Sequence, residues 1–321
     1  MELTYRAFGL TIGSDLPLPG LPTADGTPEI RIRRASVPAW SGDATIRYGE
    51  RCRIRGQEWS VRFKALPFAG LIRDGNLVQF EADRDQDEVA SLHVLGSCAG
   101  ALLFQRGLIP LHGNTIVTAQ GAAMLVGKVG AGKSATTLAL LRRGYRLLAD
   151  DISAVSFDSM EPGLAPCVMP GFPRLKLWRA TLDHFGCDHA EFRRLRPGLD
   201  KFHYPVDDLF CAEPQKLHGF YILQASDQPG VRIKALSGLA RLDALRAHLY
   251  KIRFPDAIRN WPDLFGKMCR LVDTARVSIV ERPRDGITIE AVADAIEKDL
   301  SGEAQRHAFQ KAVPRVSSTG A

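Results

Sequence analysis

The chain has 321 residues, which sets an expectation of two domains at roughly 150 residues each. Hydrophobic residues make up 45% and charged residues 24%, an ordinary globular balance that builds a core without metal or disulfide staples. Lys plus Arg number 42 against 36 Asp plus Glu, a net charge of +6. That excess suits anionic ligands, but its small clusters at 31–34 and 193–196 accompany no nucleic-acid module, so no nucleic-acid partner is expected.

The six cysteines (Cys52, Cys98, Cys167, Cys187, Cys211 and Cys269) form no C-x-x-C pair and no zinc-ligand spacing. Reduced thiols are the expectation. The N-terminus lacks the charged head and apolar core of a signal peptide. No apolar run approaches the roughly 20 residues that span a bilayer. The expected setting is cytoplasmic, with no membrane partner.

Residues 1–85 read as a β-rich unit. Stretches 5–12, 29–33, 51–63 and 71–81 alternate apolar and polar residues at strand spacing. Arg73-Asp-Gly-Asn76 is a hairpin turn, because Asp-Gly accepts positive φ. Stretch 88–108 is long and apolar and reads as a helix joining the halves. Strands follow at 114–118 and 122–126, turned by Gln120-Gly121. A helix over 133–143 ends at Gly144. Strands 146–149 and 152–157 flank Asp150-Asp151. The Pro- and Gly-rich 160–173 region reads as loop, and 220–223 with 231–235 as a hairpin. Helices are expected over 240–249, 257–274 and 289–300, with a late strand at 277–280. The domain reading is 1–85, 86–300 and a frayed tail over 301–321.

Residues 127–134 read Gly-Lys-Val-Gly-Ala-Gly-Lys-Ser, a complete G-x-x-x-x-G-K-[ST] motif between a strand and a helix. Small residues let backbone N–H groups close around phosphate, and the helix that follows points its positive end at the same charge. Gly127, Val129, Gly130, Ala131, Gly132, Lys133, Ser134 and Ala135 are therefore the expected nucleotide-binding set. Lys133 would reach the phosphate oxygens, and the Ser134 hydroxyl would ligate Mg²⁺. Asp150 and Asp151 follow at a strand end. One acid there can hold Mg²⁺ and the other can accept a proton from an attacking hydroxyl. Neighbouring strand residues face opposite ways, so the two should divide these tasks.

Leu111-His-Gly-Asn114, the 127–134 motif and the segment Leu141-Arg-Arg-Gly-Tyr-Arg-Leu-Leu-Ala-Asp-Asp151 together resemble the catalytic core of the HPr kinase/phosphorylase family. The close resemblance covers about 45 residues, 112–156, in the family's order and spacing. Across the chain, Tyr5-Arg-Ala-Phe-Gly-Leu10 and Pro170-Gly-Phe-Pro-Arg-Leu-Lys-Leu-Trp178 look like a divergent branch of HPr-kinase-like serine kinases, some of which phosphorylate lasso-peptide precursors.

The resemblance implies an α/β fold: a P-loop kinase core of HPr-kinase C-terminal type behind an N-terminal β-rich domain. It implies Asp150 as base, Asp151 on Mg²⁺ or holding the geometry, and His112 tuning the pair, with ATP and Mg²⁺ as cofactors. The family's Glu-bearing Gly motif is absent, and 171–176 occupies that place. A basic stretch there neutralises phosphate instead of ligating metal, so kinase activity without phosphorolysis is expected. Arg174 and Lys176 are candidates to grip the γ-phosphate or the acceptor. Arg196 and Lys201 are weaker ones.

The function expected is ATP-dependent phosphorylation of a serine on a peptide or small protein. The resemblance also allows a homo-oligomer. Two rivals stand beside it. A small metabolite could be the acceptor, because the nucleotide motif is blind to it. A nucleotide-dependent switch or assembly factor would need no acceptor.

Overall fold

The computed structural model describes residues 3–39, 46–47, 50–63, 67–157, 165–250, 261–284, 286 and 288–312. The fold is mixed α/β. Its strands are β1 (Leu3–Ala7), β2 (Leu10–Ser14), β3 (Ile30–Arg34), β4 (Ile46–Arg47), β5 (Glu50–Arg55), β6 (Glu58–Phe63), β7 (Ala69–Arg73) and β8 (Leu77–Glu81) in one sheet. That sheet is ordered β1-β2-β3-β8-β7-β6-β5-β4. Three stretches that alternate without a break are in fact hairpins. A two-residue turn preserves the period of two, so alternation runs through it unmarked. Phe8 and Gly9 turn 5–12 back on itself at φ 55° and 74°. Asp74 and Gly75, at 51° and 64°, form the turn expected from the sequence.

The inner face of this sheet packs on a helical run, α1 (Asp87–His93) and α2 (Ala99–Gln105), joined by a π turn over Val94–Cys98. By length and composition, Arg84–Gln105 passes as a membrane span, contrary to the reading of the sequence. In the fold 67% of that window is buried, which makes it a core helix.

The second sheet holds β9 (Ile109–Leu111), β10 (Gly113–Thr118), β11 (Gly121–Gly127), β12 (Arg146–Ala149), β13 (Ser153–Ser156), β14 (Cys167–Met169), β17 (Gln215–Ser226), β18 (Arg232–Ala235) and β19 (Arg276–Pro283). Its order is β12-β10-β11-β17-β14-β13-β9, with β19 on β17 and β18 on β19. A separate hairpin pairs β15 (Arg174–Trp178) with β16 (Lys201–Pro205).

Two expectations need correction. The 220–223 and 231–235 strands are not a hairpin, because β19 inserts between them, parallel to β17 and antiparallel to β18. A parallel partner needs a long crossover, supplied here by the chain that carries α5 (Leu239–Arg246) and α6 (Trp261–Thr274). The 160–173 region is not all loop: three residues of β14 sit among its prolines, too few to show a period. Residues 158–164 lie outside the described residues.

Helices α3 (Lys133–Arg142), α4 (Arg179–His184) and α7 (Ile289–Ala312) complete the fold, the last continuing beyond Leu300. β11 is buried on both faces. Ala122, Met124 and Val126 join the cluster that contains the first sheet. Ala123 and Leu125 join a second cluster with α3, α7 and the β15–β16 hairpin.

Candidate active site

Three neighbouring strands assemble the site. β10 lies between β11, which leads into the glycine loop, and β12, whose last residue, Ala149, precedes Asp150. Gly113 pairs with Val126 and Thr115 with Ala149. This register carries His112 and Asn114 in between the loop and the acid pair.

The loop turns on glycine at positive φ: Gly127 at 153°, Gly130 at 82° and Gly132 at 98°. A Cβ on Gly127 would stand 2.7 Å from the Leu223 carbonyl oxygen, so the close passage over β17 requires glycine. Val129 is 84% exposed at the loop's crest. Gly132 caps α3, whose first residue is Lys133. Lys133 is 8% exposed, and its Nζ donates to the carbonyls of Gly127 at 2.8 Å and Lys128 at 3.4 Å. Burial pulls its pKa below the ordinary lysine value, Asp151 and Asp150 oppose that, and Lys201 adds to it. Ala131 is buried and Ala135 lies in the first turn of α3.

Asp150 and Asp151 occupy a bend between β12 and β13. Asp151 adopts φ 67°, a left-handed conformation that Asp tolerates better than most residues. The two carboxyls meet different partners. Asp150 is 7% exposed and accepts from the Lys176 backbone N–H at 3.0 Å. Burial and then the Asp151 charge push its pKa up to about 6, against the pull of Lys176 and Lys201. Asp151 Oδ2 accepts from Lys176 Nζ at 2.7 Å. Burial pushes this carboxyl up too, but Lys176, His112 and Lys201 outweigh it and hold it well below the usual carboxylate range. The acids are thus poised apart, one near neutrality and one firmly ionised.

His112 Nδ1 lies 3.1 Å from the Asp151 carbonyl oxygen and 3.4 Å from its Oδ1. A carbonyl only accepts, so Nδ1 carries the proton. Burial lowers the His112 pKa, Asp151 raises it and Lys133 lowers it; the net direction is down, which favours the neutral ring.

The sequence reading missed Asn114 as a site residue. It is buried; its Nδ2 donates to Ser134 Oγ at 3.3 Å, and its Oδ1 accepts from the Asp151 backbone N–H at 3.5 Å. It ties the start of α3 to the acid pair. Its only signal was its place in the Leu111–Asn114 stretch. His248 was also missed. Its carbonyl accepts from the His112 N–H at 2.8 Å, and burial first, then Lys133 and His112, lower its pKa to about 4.

Of the basic candidates, Lys176 touches both acids, while Arg174 and Lys201 share its hairpin and act on them electrostatically. Arg196 is exposed in a turn, and no contact among the described residues brings it to the site.

Comparison with known proteins gives sequence matches over a short stretch of the chain. HPr kinase/phosphorylases of Thermoanaerobacter sp. and Thermoanaerobacter pseudethanolicus are each 37% identical over 71 residues, which is 21% of this chain. The chain resembles the HPr kinase/phosphorylases. The match spans 23% of the length of these relatives. No family model matches the chain. Among solved structures, the Hpr(Ser) kinase/phosphatase of Coxiella burnetii is similar with a TM-score of 0.32 and 12% identity, over 61% of this chain and 98% of that one.

Proposed function

We propose that this chain is an ATP-dependent kinase that transfers the γ-phosphoryl group to a serine hydroxyl of a peptide or small protein. The observation that carries the reading is the tether through Asn114. One side chain links Ser134, at the start of the helix behind the glycine loop, to Asp151 of an acid pair whose other member has a pKa near neutrality.

In this reading the loop amides and the N-terminus of α3 bind the phosphates. Lys133 leaves the Gly127 and Lys128 carbonyls for the phosphate oxygens. Asp150 holds the acceptor hydroxyl and takes its proton at the carboxylate. The serine oxygen forms a bond to the γ-phosphorus as the bond from that phosphorus to the β–γ bridging oxygen breaks, and ADP leaves with the electron pair. A pKa of about 6 leaves Asp150 ionised at neutral pH yet basic enough to accept the proton. His112 and Lys176 hold Asp151 in place.

Magnesium fits the donor set. Mg²⁺ takes one or two protein oxygens and completes its shell with phosphate and water. Ser134 Oγ and the ionised Asp151 carboxylate, joined through Asn114, would hold it. When bound, the ion neutralises charge on the phosphate oxygens. The reading assigns the kinase core to residues 86–300, flanked by the β-rich unit 1–85, in a cytoplasmic protein.

Intact mass of serine peptides after incubation with the protein, ATP and Mg²⁺ tests the proposal. One added phosphate, absent with Asp150→Asn, is expected. No phosphate on any hydroxyl acceptor, with ATP bound by the same preparation, would overturn it.

A further inference from the structure

Arg174 is a deeply buried cation beside the acid pair, only 5% exposed. Its Nη1 donates to the Pro19 carbonyl at 2.9 Å, and its guanidinium carbon lies 4.8 Å from the centre of the Phe172 ring. Nε and Nη2 are buried without a hydrogen-bond partner among the described residues. These two nitrogens form one edge of the guanidinium. Their N–H bonds run parallel, the geometry that takes a carboxylate or phosphate with two hydrogen bonds. A charged donor pair left unmet in the interior costs stability, and a fold tolerates that cost where a ligand meets the pair.

The hairpin places further donors beside that edge. Lys176 pairs with His203 and Trp178 with Lys201, on the face that carries Arg174. The opposite face, with Leu175, Leu177 and Phe202, is core. His203 Nδ1 is also buried and unpartnered among the described residues. Burial, then Arg174, Lys176 and Arg193, drive its pKa down to about 3, so the ring is neutral and retains one N–H to donate. Lys201 Nζ lies 5.7 Å from the Trp178 ring centre, and its charge acts on Asp150 and Asp151, which Lys176 already faces. Lys176 and Arg193 are matched by Asp151 and Glu88. The face thus carries more positive charge than its neighbours neutralise.

Its position sets which ligand it meets. The charges acting on Lys133 are Asp151, Lys201 and Asp150, whereas those acting on Arg174 are Asp150, Asp151 and Arg193. Both acids thus act on the glycine-loop lysine and on Arg174, and for Arg174 the larger contribution is that of Asp150, the group assigned to the acceptor hydroxyl.

We propose that Arg174, Lys176, Lys201 and His203 form an oxyanion subsite for the acceptor, so that the preferred acceptor carries a carboxylate or phosphate on a residue neighbouring the serine that reaches Asp150. The anion takes the Nε–Nη2 edge of Arg174. The proposal rests on Asp150 as the group that receives the acceptor hydroxyl.

Isothermal titration calorimetry tests it on the full chain with Mg²⁺ and a non-hydrolysable ATP analogue. The titrants are acetylated, amidated peptides with serine flanked by glutamate, by phosphoserine or by glutamine. The anionic peptides should bind about 10-fold or more tightly than the glutamine peptide, as charged hydrogen bonds warrant. Comparing the two identifies which anion the site takes. Arg174→Lys keeps the charge but loses the fork, and should erase most of the preference. Lys201→Gln, at a half-buried position, should reduce it and serves if Arg174→Lys does not fold. Equal affinity for all three peptides, or binding of none, overturns the proposal. Phosphate transfer is read separately by mass: a preference for anionic peptides without transfer retires the kinase reading alone.

Discussion

Lys176 Nζ lies 2.7 Å from Asp151 Oδ2, while the backbone N–H of the same lysine donates to Asp150 at 3.0 Å. One residue of β15 thus fixes both acids and sets their charges apart. Asp151 raises the pKa of Asp150, and Lys176 lowers it.

That coupling predicts opposite shifts from two substitutions. Asp151→Asn removes the charge that raises the Asp150 pKa, so the acid limb of the rate profile should move to lower pH. Lys176→Met removes the charge that lowers it, and the limb should move to higher pH. Each also breaks a part-buried ion pair and should cost about 1–3 kcal/mol of stability. Rate profiles and chemical denaturation of the two variants check this. A shift in the same direction for both would show that the coupling runs through structure and not through charge.

Asp150 itself should leave two marks on pH dependence. Transfer needs its ionised form, so the rate should rise through about pH 6 and level off above it. Stability should run the other way. The carboxyl holds its proton more tightly folded than unfolded, about 6 against 3.8, so the contribution is whole below pH 3.8, is lost as pH rises toward 6 and stays lost above. Asp150→Asn keeps an acceptor for the Lys176 N–H and removes the buried charge. It should slow transfer at least ~10²-fold yet raise stability by about 1–3 kcal/mol at neutral pH, a gain that vanishes in acid. Thermal melts across pH, beside rate measurements, test both marks together.

How much of this was legible follows from where each signal lives. The glycine loop, Lys133 and the acid pair announce themselves because strand, loop and helix are contiguous in sequence. The Asp74-Gly75 turn was legible for the same local reason. The insertion of β19 between β17 and β18 was not, because parallel pairing is decided by a crossover and leaves no local period. The β15–β16 hairpin escaped notice because 22 residues separate Trp178 from Lys201. Asn114 escaped because a lone Asn inside an apolar strand carries no spacing signal; its role arises only when β10 is flanked by β11 and β12.

Asn114 gives a prediction of its own. It holds Ser134 and Asp151 in mutual register and carries no charge of its own. Asn114→Ala should therefore lower kcat by about 10- to 100-fold, the scale expected of a misplaced reacting geometry, while changing ATP affinity far less. Asn114→Asp keeps one acceptor but puts a further carboxylate beside Asp151, and should do worse than alanine. The split between kcat and nucleotide affinity is the readout. Equal losses in both would mean that Asn114 supports the nucleotide loop as a whole.

Lys133 separates nucleotide binding from everything downstream. Its ammonium rests on the Gly127 and Lys128 carbonyls, inside the loop that its charge would stabilise around phosphate. Lys133→Met removes that charge and keeps the apolar stem. The empty protein should therefore lose little stability, because the substitution also ends the burial of an ammonium whose pKa is already lowered. ATP with Mg²⁺ should raise the melting temperature of the wild-type chain, since a ligand that binds only the folded state stabilises it by mass action. The variant should show little or no such rise at the same concentration. A full ATP-dependent rise in Lys133→Met would place the nucleotide somewhere other than this loop.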